Sequence, residues 1–247
     1  MRPLCPELGV SPSDPSHSVA ALVWRSGCQL PLPKICNACG ASQDPFGDHA
    51  LCCHAMSLYG RHNTIRNTFG SILSAYKVEY SLEVPLPGVR DRPSDLLIPE
   101  FEPSSNLAID VSVVHLLPPS LPLAIVSAGA SAAKREQCKT NQASASCVDA
   151  GWSVCPVAAE TTGAWGPSAQ KLVRRIARFE SMRSGTHVHE LSLFICRQLS
   201  FTIIGQVGKQ LHRASLPAAT STRVPGHTHS VSAAAPSLLL EGGAGVI

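Results

Sequence analysis

A mixed α/β fold, a central sheet flanked by helices, is the class the sequence predicts. Three observations lead there. Residues 63–77 place Ile65, Phe69, Ile72, Leu73 and Tyr76 on one helical face. The next segment switches to strict alternation, with Val78, Tyr80, Leu82 and Val84 set against Glu79, Ser81 and Glu83. Two more short apolar runs, 94–99 and 106–114, then precede a helix, a strand and further helices.

Residues 1–17 are rich in Pro and Ser and read as disordered. Residues 18–30 fit one short helix. The helix 63–77 and the half-buried strand 78–84 come next, closed by a Pro87-Gly88 turn. Strands 94–99 and 106–114 follow. Residues 131–145, rich in Ala, Lys and Gln, read as a helix, and 152–159 as a strand. Gly163 and Gly166 break the chain, and Pro167 suits the first turn of a helix running to about 182. A last apolar helix is expected at 189–213. Residues 214–247 hold only Arg223 and Glu241 as charges and read as a disordered Ala/Ser/Pro/Gly tail.

The 247 residues are 44% hydrophobic, which excludes a wholly disordered chain. Charged residues make up only 15%, against roughly 25% in an average globular protein, and Pro, Gly, Ser and Ala fill the difference. The formal net charge of +3 is compatible with a nucleic-acid partner without demanding one. No uninterrupted apolar run reaches roughly 18 residues, so neither a membrane-spanning helix nor a membrane partner is expected. The first residues lack the apolar core of a secretory leader. The nucleus, or otherwise the cytoplasm, is therefore the expected location. In such reducing compartments clustered cysteines act as metal ligands more often than as disulfides.

Cys36 and Cys39 form a C-x2-C pair, with His49 and Cys53 one helical turn apart beyond it. A tetrahedral zinc site takes four nitrogen and sulfur ligands, commonly as two such pairs. With four protein ligands the zinc is closed off and structural. Cys52 and His54 are rivals for the fourth position. Cys5, Cys28, Cys138, Cys147, Cys155 and Cys196 lack such spacing and read as ordinary buried thiols.

Asp95 opens the second strand, and Asp110 lies inside the third between Ile109 and Val111. A carboxylate in so apolar a strand is costly unless paired, protonated or metal-bound. Neighbouring strands would bring the two acids together, with Glu83 as a third candidate. Magnesium, held by one or two carboxylates, water and phosphate oxygens, would relieve their repulsion. Such an ion activates water and stabilises the leaving oxygen in phosphodiester cleavage. Lys171, Arg174, Arg175 and Arg178 recur along one helix face opposite Leu172, Ile176 and Phe179, a stripe suited to phosphates. Arg61, His62 and Arg66 adjoin the knuckle and extend that candidate surface.

Several stretches together resemble one family. These are Cys36-x2-Cys39-Gly40, Asp44-Pro45-x-Gly47-Asp48-His49-Ala50-Leu51-x-Cys53, Arg61-His62-Asn63 with Arg66, and Arg92-Pro93-Ser94-Asp95. Ile109-Asp110-Val111, Gly151-Trp152 and Glu160-Thr161-x-Gly163-x-Trp165-Gly166 extend the match over roughly residues 20–213. The chain is similar there to the endonuclease region of site-specific non-LTR retrotransposons. In that family a zinc knuckle precedes a restriction-endonuclease-like core of the PD-(D/E)xK type. The resemblance implies a short helix and CCHC knuckle over 18–62 and a nuclease domain over 63–213. It maps the first acid to Asp95 and the second to Asp110. Ser112 stands where the core lysine usually sits. Retrotransposon members carry that lysine on the following helix, which offers Lys134 or Lys139, with Lys139 favoured.

The implied activity is magnesium-dependent nicking of DNA, leaving a 3′-hydroxyl that primes reverse transcription. The implied partners are DNA, RNA and a reverse transcriptase acting in trans. The chain then looks like the detached C-terminal part of a larger element protein, or a derived host copy. The rival expectation is a zinc-knuckle nucleic-acid-binding module whose nuclease site has decayed. A zinc-stabilised scaffold for protein contacts is the reading outside nucleic-acid biology.

Overall fold

The structure is a computed structural model that describes residues 14–56, 58–86, 94–102, 105–115, 127–142, 147 and 149–217. The expected Pro87-Gly88 turn, Arg92, Pro93 and Cys5 lie outside these residues, as do 1–13 and 218–247 of the two expected disordered ends. Six helices and four strands are present among the described residues, in a mixed α/β arrangement.

Helix α1 spans Pro15–Arg25, beginning earlier than expected because the Asp14 side chain accepts the Ser16 N–H and Pro15 fits the first turn. Residues 26–30 are not helical, and Leu30 N–H instead donates to Pro45 O at 2.8 Å. Helix α2 is the five-residue Asp48–Cys52. Helix α3, Leu58–Ala75, buries Ile65, Phe69, Ile72 and Leu73, the face that periodicity predicts. It stops where Lys77 turns to φ 56° and Val78 N–H reaches back to Leu73 O.

The alternating segment 78–84 pairs over only two residues, Ser81–Leu82, which form β1. Glu83 adopts φ 49°, outside the extended region, so pairing ends there despite the alternating pattern. Strand β2, Leu96–Glu102, runs antiparallel to β1 and to β3, Ser105–Val114. The register of β2 and β3 shifts between Ile98 and Glu102, where Glu100 has φ 50° and Pro99 offers no N–H. Strand β4, Trp152–Glu160, runs parallel to β3, from Asn106 opposite Trp152 to Val114 opposite Glu160. The sheet order is β1-β2-β3-β4.

Helix α4, Ala130–Gln142, supplies the crossover that a parallel pair needs. Helix α5, Pro167–Ser184, starts on Gly166-Pro167 and ends at Gly185 with φ 76°. Helix α6, Val188–Ser215, runs two residues into the expected tail. By length and composition α6 could cross a membrane, which the rule of an uninterrupted apolar run did not suggest. Its Leu191, Ile195, Leu199, Ile203, Val207 and Leu211 are buried in the protein core.

One face of the sheet, with Leu96, Ile98, Leu107, Ile109 and Val111, shares its core with α3, α5 and α6. The other face, with Leu97, Ala108 and Trp152, belongs to a smaller cluster. Alternation puts Asp110 on the face of Ala108, toward α4. The knuckle is built into the main core, since Cys36, Ala50, Leu51, Cys53 and Met56 belong to the same cluster as Ile65 and Phe69.

Candidate metal centre and acidic site

The Cys36-x2-Cys39 turn and helix α2 face each other. The donor atoms of Cys36, Cys39, His49 and Cys53 all lie within 4.8 Å of one another. Cys36 Sγ and Cys53 Sγ are 3.9 Å apart, and Cys39 Sγ lies 3.3 Å from His49 Nε2. Tetrahedral zinc with bonds of about 2.3 Å to sulfur requires ligand edges of about 3.8 Å, so these four can hold a metal such as zinc. Cys53 rather than Cys52 or His54 completes the set; both rivals are exposed. Among the described residues this is the one group of three or more His, Cys, Asp or Glu side chains whose donors converge in this way.

Local chemistry prepares the set. Burial pushes the Cys36 thiol up, but the N–H groups of Ala38 and Cys39 and the His49 side chain outweigh it, holding the group at about 6. Burial, with the Cys39 side chain, raises Cys53. Asp44 gathers the first turn of α2: Oδ1 accepts the Phe46 and Asp48 N–H groups at 2.8 and 3.1 Å, and Oδ2 the His49 N–H at 2.7 Å. Burial raises the Asp44 carboxyl, but those three N–H groups prevail and lower it.

The second cluster lies where β2 and β3 begin to pair. Asp95 N–H donates to Ile109 O at 2.9 Å, and Asp95 Oδ2 accepts Val111 N–H at 2.6 Å. Asp95 Oδ1 lies 2.9 Å from His62 Nε2 on α3. Asp110 Oδ2 lies 2.7 Å from Lys139 Nζ on α4. Burial raises the Asp110 carboxyl, Lys139 opposes that, and the nearby charge of Asp95 adds to the rise. Glu83 pairs with Arg66, and its N–H donates to Asp95 O at 3.1 Å. Lys134 is exposed and makes no ion pair among the described residues.

Some sequence expectations meet a different placement. Arg61 is buried, 6% exposed, and donates to Gln210 Oε1 at 3.2 Å and Leu51 O at 3.4 Å. It braces the knuckle against α6, because Gln210 in turn donates to Ala50 O. Arg66 is also buried and turned toward Glu83, and His62 is turned toward Asp95. These three therefore form no outward basic patch. On α5, Lys171, Arg174 and Arg178 are exposed, and Arg175 lies with its guanidinium 4.7 Å from the Phe101 ring centre. Phe179, expected on the buried face, is 43% exposed. Of the scattered thiols Cys147 is buried, whereas Cys28 and Cys138 are exposed.

Three groups have structural roles that the sequence did not signal, although Glu160 lies in one of the stretches that carry the resemblance. Glu136, 2% exposed, accepts N–H groups from Ala158, Ser168 and Ala169, capping α5 from α4. Glu160, 0% exposed, accepts Ser131 N–H and so caps α4. His115 joins Asp48 to Thr161. Only Asp44, two residues before Phe46 in a Pro/Gly-rich turn, offered a recognisable signal. No family model, curated protein or solved structure matches this chain.

Proposed function

We propose that this chain is a DNA endonuclease domain of the kind carried by site-specific non-LTR retrotransposons, braced by a structural zinc knuckle. One observation carries the reading: two acids, Asp95 just before β2 and Asp110 in β3, are each met by a basic side chain, Lys139 on Asp110 at 2.7 Å and His62 on Asp95 at 2.9 Å. Asp95 immediately precedes β2, Asp110 lies in β3 and Lys139 in α4, an order that supports the reading from the family's motifs.

The donor set fits a hard divalent ion of the magnesium type, which uses one or two carboxylates and completes its shell with water and phosphate. Asp95 and Asp110 would hold it, with Glu83 beside them. When bound, the ion would lower the pKa of water and offset charge on the phosphate. The chain's own groups have separable parts. Val111 N–H and His62 orient the Asp95 carboxylate. Lys139 would neutralise charge developing on a phosphate oxygen and orient the attacking water. Lys171, Arg174 and Arg178 would contact phosphates of the flanking duplex. DNA is the substrate and RNA a further ligand, with a reverse transcriptase in trans using the 3′-hydroxyl; the nucleus is the matching compartment.

A second reading has its own support. Asp95 and Asp110 already have partners in His62 and Lys139, and among the described residues they belong to no group of three or more donors converging within 4.8 Å. That favours a nucleic-acid-binding module without cleavage. A supercoiled-plasmid nicking assay with magnesium separates the two. The endonuclease reading expects nicking that chelators stop and that Asp110→Ala and Lys139→Ala abolish, while Lys134→Ala keeps it. Nicking that survives Asp110→Ala sinks the site assignment. Absence of nicking with salt-sensitive DNA binding supports the second reading.

A further inference from the structure

His115 follows β3 directly, and its side chain is only 5% exposed. Its Nε2 lies 2.9 Å from Asp48 Oδ1 and its Nδ1 2.9 Å from Thr161 Oγ1. A carboxylate only accepts, so Nε2 carries the proton that Asp48 takes, and Nδ1 shares the second hydrogen bond with the Thr161 hydroxyl. Thr161 is itself fully buried, with its N–H donated to Val114 O at 2.9 Å. Trp24 of α1 covers the imidazole, with ring centres 6.1 Å apart. Asp48 opens α2 and immediately precedes His49. One buried ring therefore spans from the helix that carries His49 to the carboxyl ends of β3 and β4.

We infer that His115 is a positioning residue for the metal knuckle, acting through Asp48. The inference rests on reading Cys36, Cys39, His49 and Cys53 as a metal site. Cys36 and Cys39 sit on a turn with an isolated bridge between Ile35 and Ser42. Of the second pair, His49 rides on α2 and Cys53 caps its end, and that helix, only five residues long, cannot hold its own orientation. Asp44 fixes the first turn of α2 from within the knuckle, but a bond to the rest of the molecule is needed to aim the helix at the first pair. His115 supplies it from the sheet, and Gln210 and Arg61 from α6 and α3. Partners one shell outside a metal commonly set ligand orientation, and their loss lowers affinity by about 10- to 100-fold.

The test measures zinc affinity of the full chain by chelator competition, with the visible absorption of the cobalt-substituted protein as a second readout. Wild type is expected to bind one metal with the spectrum of a Cys3His tetrahedral site. His115→Ala and Asp48→Ala should each weaken zinc by about 10- to 100-fold. The double variant should be no weaker than either single one, because both remove the same link. Thr161→Val, which keeps the ring and its bond to Asp48, should lose less. Two outcomes overturn the inference: zinc affinity and cobalt spectrum unchanged in a His115→Ala protein that merely melts earlier, or additive losses in the double variant. Wild-type protein that takes up no zinc overturns the underlying metal reading instead. If His115→Ala does not fold, His115→Phe provides the same comparison, since its ring fills the space but donates nothing to Asp48.

Discussion

Asp110 and Glu136 are the residues where burial and charge conflict most directly. Asp110 sits on an otherwise apolar strand, and burial raises its carboxyl. A carboxyl raised in the folded state binds its proton more tightly there than in the unfolded chain. Its contribution to stability is present below the unfolded value of about 3.9 and is lost as pH rises through the folded one. Asp110→Asn removes that term. Urea denaturation across pH should therefore show the variant gaining on wild type as pH rises through this window. Glu136 matters instead through its hydrogen bonds. Its carboxylate holds three N–H groups, two of them in the first turn of α5, and a Cβ at Gly166 would run into it. Glu136→Ala leaves those donors unpaired and should cost about 2–4 kcal/mol in a urea melt, with Glu136→Gln costing less. Neither role follows from residue type: in the sequence, Glu136 is one more polar residue in an Ala/Lys/Gln-rich helix.

At the scale of elements, helix α5 turns opposite faces to the core and to solvent. Leu172, Val173, Ile176 and Ala177 are buried while Lys171, Arg174 and Arg178 remain exposed. Its period was legible because burial on one side of a helix imposes it. Replacing Lys171 and Arg174 together with Ala should weaken DNA binding with little dependence on sequence. It should also lower the slope of log affinity against log salt by about 1 for each phosphate that is no longer neutralised, as fluorescence anisotropy would report. Strand β1 is the contrasting element. Its alternation was clear over 78–84, but only Ser81–Leu82 found partners, because Glu83 leaves the extended region and β2 bulges around Pro99 and Glu100. Alternation does not report whether a neighbouring strand keeps register, and Leu82, expected on the buried face, is 44% exposed.

Across the whole molecule, the knuckle and the α/β core share one hydrophobic cluster, and buried polar bonds from His115, Gln210 and Arg61 join them. Metal removal should therefore destabilise the entire fold. A calorimetric scan of chelated protein is expected to show one cooperative transition at lower temperature, with Cys53→Ser behaving alike. An independently melting core would contradict this. What the sequence by itself determined was the periodic and the closely spaced: the α/β class, the faces of α3 and α5, and the Cys-x2-Cys and His-x3-Cys pairs. These depend on neighbours a few residues apart. The choice of Cys53 over Cys52 and His54, the pairing of Lys139 rather than Lys134 with Asp110, and the inward turn of Arg61 were decided only by tertiary structure. Each depends on which buried partner lies across from the side chain, and the partners stand between 17 and 149 residues away along the chain.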